Sequence, residues 1–125
     1  MTRREWLALT WAVACATRVR AAAATVTTLI GTGSPGLADR DVNNPYGVVI
    51  GPDGHLYFCD LDNQRIRRVD RRTRRTITVA GDGRNGHDGD GGPATAAALS
   101  MPHEIQFDED GHLYIAERDS HVVRK

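Results

Sequence analysis

A histidine and a carboxylate that could share a metal ion are neighbours at His103 and Glu104. Imidazole nitrogen and carboxylate oxygen are both zinc ligands, and carboxylate oxygen is also the preferred ligand of calcium. Two adjacent residues supply only one or two ligands, so a metal here needs donors from other parts of the fold. A solvated pair at the start of a strand is the alternative interpretation, and the sequence leaves both open.

Carboxylates also gather in a glycine-rich loop that contains Asp82, Asp88 and Asp90. Oxygen-rich loops can hold calcium. The spacing departs from the EF-hand template, because Gly92 stands where that template needs a third oxygen ligand. Asp and Gly are also the ordinary residues of turns, which explains the composition without a metal. A divalent ion, calcium or zinc, is the one cofactor that the sequence suggests. No metal-binding motif in the sequence identifies the ion or its ligands.

The chain contains the same pattern twice, which indicates the elements that position these residues. Residues 45–68 align without a gap with residues 102–125 at an offset of 57 (102 − 45 = 57). The segment Asp-Gly-His-Leu-Tyr occurs at 53–57 and again at 110–114. A fixed period of this length is typical of repeat architectures, in which one unit cannot bury its apolar face alone.

The first repeat consists of short segments with strand character, separated by turn residues. The segments lie at 47–51, 55–60, 65–70 and 76–81. Alternation of apolar and polar residues in the second segment places successive side chains on opposite faces of a sheet. Four antiparallel strands in up-and-down order form one propeller blade. The sequence therefore predicts an all-β fold of β-propeller blades, with one complete blade over residues 45–81.

Other parts of the chain are predicted to belong to further blades. Residues 102–125 repeat the first three strands and lack the fourth, so they form an incomplete blade. Residues 26–31 are similar in sequence to the fourth strand and are predicted as a closing strand. Residues 24–125 thus hold about two blades, and a closed ring needs either missing blades or oligomerisation of several chains. We expect a fragment of a longer propeller rather than an assembly.

The repeat resembles the NHL repeat. The resemblance rests on Pro-x-Gly-Val at 45–48, Asp-Gly-x-Leu-Tyr at 53–57, Asp-x-x-Asn-x-Arg-Ile-Arg at 60–67 and Thr-Val-Ala-Gly at 78–81. It implies a propeller of typically six blades, which this chain is too short to close. It implies little about chemistry. The second unit departs from the family pattern at three positions, Glu104, Glu117 and Ser120.

Up-and-down strand order places the connections between blades at the same end as the turns between second and third strands. Loops on a rigid scaffold are the usual place for binding, and His103 and Glu104 enter the innermost strand at the mouth of the central channel. Gluconolactonase-like and amidating-lyase propellers, to which the chain is distantly similar in fold, hold a metal in such a channel. The predicted metal ligands are His103 and Glu104. The predicted ligand-binding residues are His103, Glu104, Asp62, Asn63 and Asp119.

These patterns favour a binding or scaffolding module for a protein, peptide or glycan. The alternative is part of a metal-dependent lyase or lactone hydrolase of the gluconolactonase type. No residue is assigned a catalytic role, because Ser34, Ser100 and Ser120 lie in loops without a nucleophile motif around them. We therefore expect that this chain alone is not an enzyme.

Residues 65–75 contain seven arginines in eleven positions. Some intracellular NHL domains bind RNA through a basic face, whereas edge strands commonly carry charge that prevents aggregation. A solvated edge and an anionic partner such as a cell-envelope polymer are the two interpretations. A nucleic-acid partner is not predicted, because it fits poorly with export.

Residues 1–23 have the three-part plan of a secretory signal, with a basic start, a short apolar stretch and small residues before the cleavage site. Residues 2–7 resemble the twin-arginine export motif, with Trp6 in place of the usual Phe. An ordinary secretory signal with two arginines is the alternative. The mature chain is predicted to be periplasmic or secreted, with a net charge of −3 (12 basic and 15 acidic residues). No apolar run approaches the ~18 residues that a membrane span needs.

Export can be tested with a reporter. Residues 1–30 fused to a reporter protein are expected to deliver it across the inner membrane of a bacterial host, and Arg3→Lys with Arg4→Lys is expected to reduce delivery, because the twin-arginine route requires both guanidinium groups. Reporter activity in the periplasmic fraction measures this. Undiminished delivery by the double variant would contradict the twin-arginine route alone, whereas an uncleaved cytoplasmic product would contradict export altogether.

Overall fold

The structure, a computed structural model, describes residues 23–125 and contains two antiparallel sheets. In each sheet, strands that are neighbours in the sheet are also neighbours along the chain, which is the up-and-down order of a propeller blade. The first blade contains β1 (Pro45–Ile50), β2 (Leu56–Asp60), β3 (Arg65–Val69) and β4 (Thr76–Ala80). The second blade contains β5 (Pro102–Phe107), β6 (Leu113–Glu117) and β7 (Val122–Arg124). The predicted all-β fold with one four-stranded and one three-stranded unit is confirmed.

Tight turns with a glycine in the left-handed region connect the first two strands of each blade. Gly54 has a φ of 77° and its counterpart Gly111 a φ of 84°. A side chain at such a φ is strained, whereas glycine adopts it freely. In the first turn the carboxylate of Asp53 also accepts a hydrogen bond of 3.1 Å from the amide of His55. The repeated Asp-Gly pair therefore sets the register of each first hairpin.

The two blades pack face to face around a small apolar core. Alternation along β2 places Cys59 on the face that meets the second blade, where Ile105 and Ile115 cover it. The ring of Tyr57 on the same face contacts Phe107 edge-on, with ring centroids 4.9 Å apart. One side of the second blade is thus buried against one side of the first, as expected for consecutive propeller blades.

Cys59 is a packing residue. It is fully buried, and burial, with a smaller contribution from the Glu104 carboxylate, raises the pKa of its thiol to about 12. A thiol with such a pKa is protonated at neutral pH and is a poor nucleophile. Its counterpart in the second repeat is Ala116 (59 + 57 = 116), which agrees with a role as a small strand residue.

A buried ion pair occurs at the same place in both blades. Asp60 lies 3.2 Å from Arg67, with side chains 0% and 5% exposed. Glu117 lies 3.1 Å from Arg124, with side chains 0% and 10% exposed. The positions correspond at the repeat offset (60 + 57 = 117 and 67 + 57 = 124). Each pair joins the end of the second strand to the third strand.

Both ion pairs also fasten the blade to the connection that precedes it. Asp60 accepts a hydrogen bond of 2.7 Å from the amide of Asn43, and Glu117 accepts one of 2.7 Å from the amide of Ser100. The arginines donate to carbonyl oxygens in the same connections: Arg67 to Ala38, Asp39 and Asp41, and Arg124 to Asp88 and Ala98. The charges are therefore compensated on all sides, and the connections are held in place.

The closing strand that the sequence predicts at residues 26–31 is not formed. Within the described chain no strand pairs with these residues, and Val26 is fully exposed. A strand needs a neighbour that satisfies its backbone groups, and strand character in the sequence cannot supply one. The predicted signal peptide over residues 1–23 falls almost entirely outside the described residues. Within residues 23–125, no helix is long and apolar enough to cross a membrane.

The repeated ion pair leads to a stability prediction. Arg67→Met is expected to lower the free energy of unfolding by about 3–5 kcal/mol, because it leaves the Asp60 carboxylate buried without its cation. Arg68→Met is the matched control. Arg68 pairs with the half-exposed Asp53, so its loss is expected to lower the free energy of unfolding far less. Urea unfolding followed by circular dichroism measures both.

A second substitution distinguishes a charge effect from lost packing. Adding Asp60→Asn to Arg67→Met removes the unpaired buried charge, so part of the lost stability is expected to return. Equal unfolding midpoints for the Arg67 and Arg68 variants would contradict the importance of the buried pair.

Candidate functional site

The connections that lead into the blades and the turns between second and third strands lie at the same end of the two blades. The amide of Asp62, in the turn of the first blade, donates to the carbonyl oxygen of Asn43 at 3.2 Å. The amide of Arg118, in the turn of the second blade, donates to the carbonyl oxygen of Met101 at 3.1 Å. Each turn is thus fixed to the residues that lead into its own blade, which is the placement expected from the strand order.

The first strands of the two blades lie side by side, and Gly47 permits their close approach. A Cβ atom on Gly47 would lie 2.7 Å from the carbonyl oxygen of His103 and 2.9 Å from the Cα atom of Glu104. Both distances are shorter than real contacts of a Cβ atom, so only glycine fits. The neighbouring ring of Tyr46 consequently lies over the imidazole of His103, with centroids 4.3 Å apart and planes inclined by 35°.

His103 and Glu104 form an open pair beside this contact. The Nδ1 atom of His103 lies 3.6 Å from Oε1 of Glu104, and the side chains are 35% and 65% exposed. A carboxylate this open to water needs no partner to offset a desolvation cost. The pair is therefore available to a ligand, and nothing in the packing of the blade requires it.

Arg118 and Asp119 form a second exposed pair at the same end. Nε of Arg118 donates to Oδ1 of Asp119 at 2.9 Å. This hydrogen bond raises the pKa of the Arg118 guanidinium, and the nearby Tyr46 and Asp62 raise it further. Side chains of the first blade therefore lie within electrostatic reach of Arg118. We call the six exposed or half-exposed residues of this end the mouth site: Tyr46, Asp62, His103, Glu104, Arg118 and Asp119.

Asn63, which the sequence also predicts as a ligand-binding residue, has a structural role in this arrangement. Its Nδ2 atom donates to the carbonyl oxygen of Gly36 at 2.8 Å and to Oδ2 of Asp60 at 2.8 Å. Its counterpart Ser120 (63 + 57 = 120) donates to Glu117 at 3.0 Å. Both amide hydrogens of Asn63 are occupied, so the residue supports the turn and lies outside the mouth site.

Two members of the mouth site, Tyr46 and Arg118, are absent from the sequence-based prediction. Tyr46 is the repeat counterpart of His103 (46 + 57 = 103), so a comparison of the two repeats at this position could have found it. Arg118 is the repeat counterpart of Leu61 (61 + 57 = 118), and Leu61 is fully buried in the first blade. An arginine at a position that packing fills with leucine is a signal that the sequence does contain.

The carboxylates of the glycine-rich loop are occupied by arginines and amides. Asp82 binds the side chain of Arg84 at 2.7 Å, and Asp88 binds the same guanidinium at 3.2 Å. Asp90 accepts from Arg124 at 2.8 Å. The contact of Asp90 with Arg124 ties the loop to the second blade, and the arginines compete with a calcium ion for these carboxylates.

The described residues alone supply too few donors around His103 and Glu104 to hold a metal. His103 and Glu104 provide two ligands, whereas zinc takes four and calcium six to eight. Among residues 23–125, the one group of three potential ligands within 4.8 Å is Asp108, Asp110 and His112, in the turn at the opposite end. There Asp108 accepts hydrogen bonds from the His112 amide and the Tyr114 hydroxyl at 2.8 and 3.0 Å. No chemical step through a metal is derived for this chain.

Comparison with known proteins supports the blade assignment. No family model matches the chain. The chloroplast protein SUPPRESSOR OF QUENCHING 1 of Arabidopsis thaliana is 32% identical over 83 residues, which are 66% of this chain and 8% of that protein. Human NHL repeat-containing protein 2 is 31% identical over 107 residues, covering 75% of this chain and 15% of that protein. The chain is similar to NHL-repeat proteins. It spans a small part of their length.

Two solved structures from Bacteroides thetaiotaomicron share the fold. One, a structural genomics protein of unknown function, has a TM-score of 0.60 at 25% identity and matches 67% of this chain and 22% of its own. The other, an auxiliary nutrient binding protein, has a TM-score of 0.63 at 24% identity and matches 76% of this chain and 26% of its own. These similarities concern about a quarter of each structure, and they establish the architecture of the two blades.

The opposite end of the second blade leads to a pH prediction. Partial burial acts to raise the pKa of Asp108, but hydrogen bonds from His112 and Tyr114 outweigh it and hold the pKa at about 2. Because this value lies below the ordinary 3.8, the carboxylate stabilises the fold fully above about pH 4, and the contribution is lost as pH falls through about 2.

Asp108→Asn is therefore expected to flatten the fall in unfolding free energy between about pH 4 and pH 2. Glu109→Gln, at the exposed neighbouring residue, is the control and is expected to keep the original slope. Urea unfolding at a series of pH values measures the slope. If unfolding free energy falls with pH in parallel for the original chain and both variants, the Asp108 hydrogen bonds do not contribute to the pH dependence of stability.

Proposed function

We propose that this chain is an exported propeller-type binding module that recognises a protein, peptide or glycan through the mouth site. The observation that carries the proposal is the convergence of side chains from both blades at one end. Tyr46 and Asp62 come from the first blade, and the rest of the site comes from the second. Binding is the function that such an exposed surface can perform without a catalytic group.

The chemistry of the mouth site suits a polar ligand with some apolar surface. The Tyr46 and His103 rings, which contact each other at a tilt of 35°, offer an aromatic edge and face to a sugar ring or a peptide side chain. Glu104 and Asp119 offer acceptors to hydroxyl, amide or ammonium groups, and Arg118 offers donors. Tyr and Arg are also enriched where protein interfaces are strongest.

The support beneath the mouth site is rigid. The turn that carries Asp62 begins directly after Asp60, and the turn that carries Arg118 and Asp119 begins directly after Glu117. Both of these preceding carboxylates are buried in their ion pairs. Rigid support lowers the conformational entropy that a ligand must overcome on binding.

The comparisons agree with a binding role in general terms. NHL repeat-containing proteins are similar in sequence, and one of the similar solved structures is an auxiliary nutrient binding protein. Export is the second part of the proposal. It is supported by the signal-like residues 1–23 with their paired arginines, and it places the module in the periplasm or outside the cell.

The second candidate, a part of a metal-dependent lyase or lactone hydrolase, rests on one observation. His103 and Glu104 lie 3.6 Å apart at the innermost strand, where corresponding residues of further blades would face them. This candidate requires at least two more ligands from outside the described residues.

Ligand screening tests the binding proposal. The chain is expected to bind members of a glycan or peptide array, and Tyr46→Ala or Arg118→Ala is expected to weaken the best of them at least about thirtyfold, as for an interface residue that contributes ~2 kcal/mol. Arg71→Ala, an exposed arginine at the opposite end, is the matched control and should leave affinity unchanged. Titration calorimetry measures each affinity. Absence of binding on both arrays, or equal affinity of all variants, would contradict the proposal.

Metal analysis separates the two candidates. Under the binding proposal, the purified chain and Glu104→Gln are expected to contain equally little zinc and calcium after incubation with both ions and gel filtration. Mass spectrometry of the protein fraction measures the content. A stoichiometric metal in the original chain that Glu104→Gln loses would favour the lyase or hydrolase candidate.

A further inference from the structure

The arginines of residues 23–125 divide into two groups. Those of the first group donate from their side chains to a carboxylate or a carbonyl oxygen, and they are Arg65, Arg67, Arg68, Arg84, Arg118 and Arg124. Those of the second group are exposed and form no side-chain hydrogen bond or ion pair within the described residues, and they are Arg40, Arg71, Arg72, Arg74 and Arg75. The second group is confined to one place. Four of its members lie in the turn between β3 and β4, and Arg40 lines the same surface depression of about 280 Å³ as Arg74.

We call residues 71–75 the arginine turn, and the carboxylates beside it bind backbone amides. Asp70 accepts hydrogen bonds of 2.8 and 2.9 Å from the amides of Arg72 and Thr73. These hydrogen bonds hold the pKa of the Asp70 carboxyl below its ordinary value. Asp39 accepts a hydrogen bond of 3.0 Å from the amide of Thr76, directly after the turn. Both acids therefore order the backbone of the turn and leave its guanidinium groups open to solvent.

The conformation of the turn does not explain its arginines. Arg74 has a φ of 61°, in the left-handed region that favours glycine or asparagine. Its amide donates to the carbonyl oxygen of Asp70 at 2.7 Å, which closes the turn without any contribution from the side chain. Arginine is thus a less favourable choice for the backbone at this position, so a reason for it has to lie outside the turn.

Protection of the sheet edge does not explain the arginines either. Charges that prevent edge-to-edge aggregation lie on the edge strand itself. The fourth strand β4 has the sequence Thr-Ile-Thr-Val-Ala and contains no charged residue, and its Ile77 is 53% exposed. The charges are instead concentrated in the turn that precedes this strand.

The arginine turn lies outside the surfaces through which blades pack. The first strand β1 lies beside β5 of the second blade, and the sheet continues outward in the order β2, β3 and β4. The turn joins the two strands that are furthest from this contact. It extends beyond the end of the sheet, whereas blades pack through the faces of their sheets. It is therefore accessible to a partner of another kind.

We propose that the arginine turn binds an acidic polysaccharide, a flexible chain that carries carboxylate or sulfate groups. A guanidinium group donates two parallel hydrogen bonds to such an anion. One exposed ion pair contributes little, but successive anionic groups of one chain can contact several arginines of the turn together. The proposal rests on the export part of the proposed function, because acidic polysaccharides belong to the cell envelope and the cell exterior. It concerns a surface separate from the mouth site.

The surroundings of the turn favour a polysaccharide over other polyanions. The turn between β5 and β6 lies at the same end of the second blade and carries Asp108, Glu109 and Asp110. A flat anionic lipid surface would meet these carboxylates together with the arginines, whereas a narrow chain can contact the arginine turn alone. Single-stranded nucleic acids are held largely by stacking on aromatic side chains, and residues 70–75 contain none.

Binding to defined polymers tests the proposal. The full chain is expected to bind heparin, which is sulfated, and alginate, which is carboxylated, but not neutral dextran. Affinity is expected to fall steeply between about 50 and 200 mM salt, because each ion pair releases a counterion. Arg72→Gln with Arg74→Gln should raise the heparin dissociation constant at least about tenfold at low salt, which is ~1.4 kcal/mol. Surface plasmon resonance measures the affinities, and circular dichroism checks that the variant is folded.

The matched control removes the same charge elsewhere. Arg84→Gln with Lys125→Gln, which lie outside the arginine turn, should leave heparin affinity unchanged. Equal losses in the two double variants would overturn the proposal, as would absence of binding to both acidic polymers. Tighter binding to phosphatidylglycerol vesicles or to single-stranded DNA would overturn the choice of partner. Tyr46→Ala should leave heparin affinity unchanged, so failure here is distinct from failure of the mouth site. Loss of heparin binding in that variant would assign the polymer to the mouth site and overturn the role of the turn.

Discussion

A buried carboxylate–arginine pair, placed at the end of the second strand and in the third strand of each blade, is the interaction on which the rest of the structure depends. An isolated charge in such a position would be very costly, and a pair offsets this cost only when its remaining hydrogen bonds are satisfied. Here backbone groups of the preceding connection satisfy them. The ion pair of each blade therefore determines how the irregular connection before that blade lies against its sheet.

The mouth site follows from that constraint. The same connections and turns that complete the ion pairs carry the exposed polar and aromatic side chains, so their positions depend on groups that never contact a ligand. Gly47 contributes a second constraint, because only its lack of a side chain allows the first strands of the two blades to bring Tyr46 and His103 into contact. The blades provide rigidity, and the loops provide chemical variety.

The sequence predicts strands well because their signals are local or periodic. It predicts the site less well because contacts between side chains from separate segments leave no local or periodic signal. The arginine-rich run does not show that Arg67 is buried, since composition cannot distinguish the two faces of a strand. Strand character in residues 26–31 does not supply a neighbour. Asn63 has the residue type of a binding group, but its amide hydrogens are used by the fold. The sequence marks Tyr46 as the repeat counterpart of His103, but the contact between their rings is visible only in the fold.

The two ion pairs differ by one methylene group, and this difference has an evolutionary consequence. The first blade uses aspartate with the side-chain amide of Asn63, whereas the second uses the longer Glu117 with the shorter side chain of Ser120. Asn43 and Ser100 donate to these carboxylates through their backbone amides. The extra length of the acid is therefore matched by the shorter side chain of its one side-chain donor. After a duplication, such positions diverge as a set, because exchange of a single member between repeats would leave a gap or a clash. Recombination within the gene would therefore preserve this contact only when it transfers the acid and its side-chain donor together.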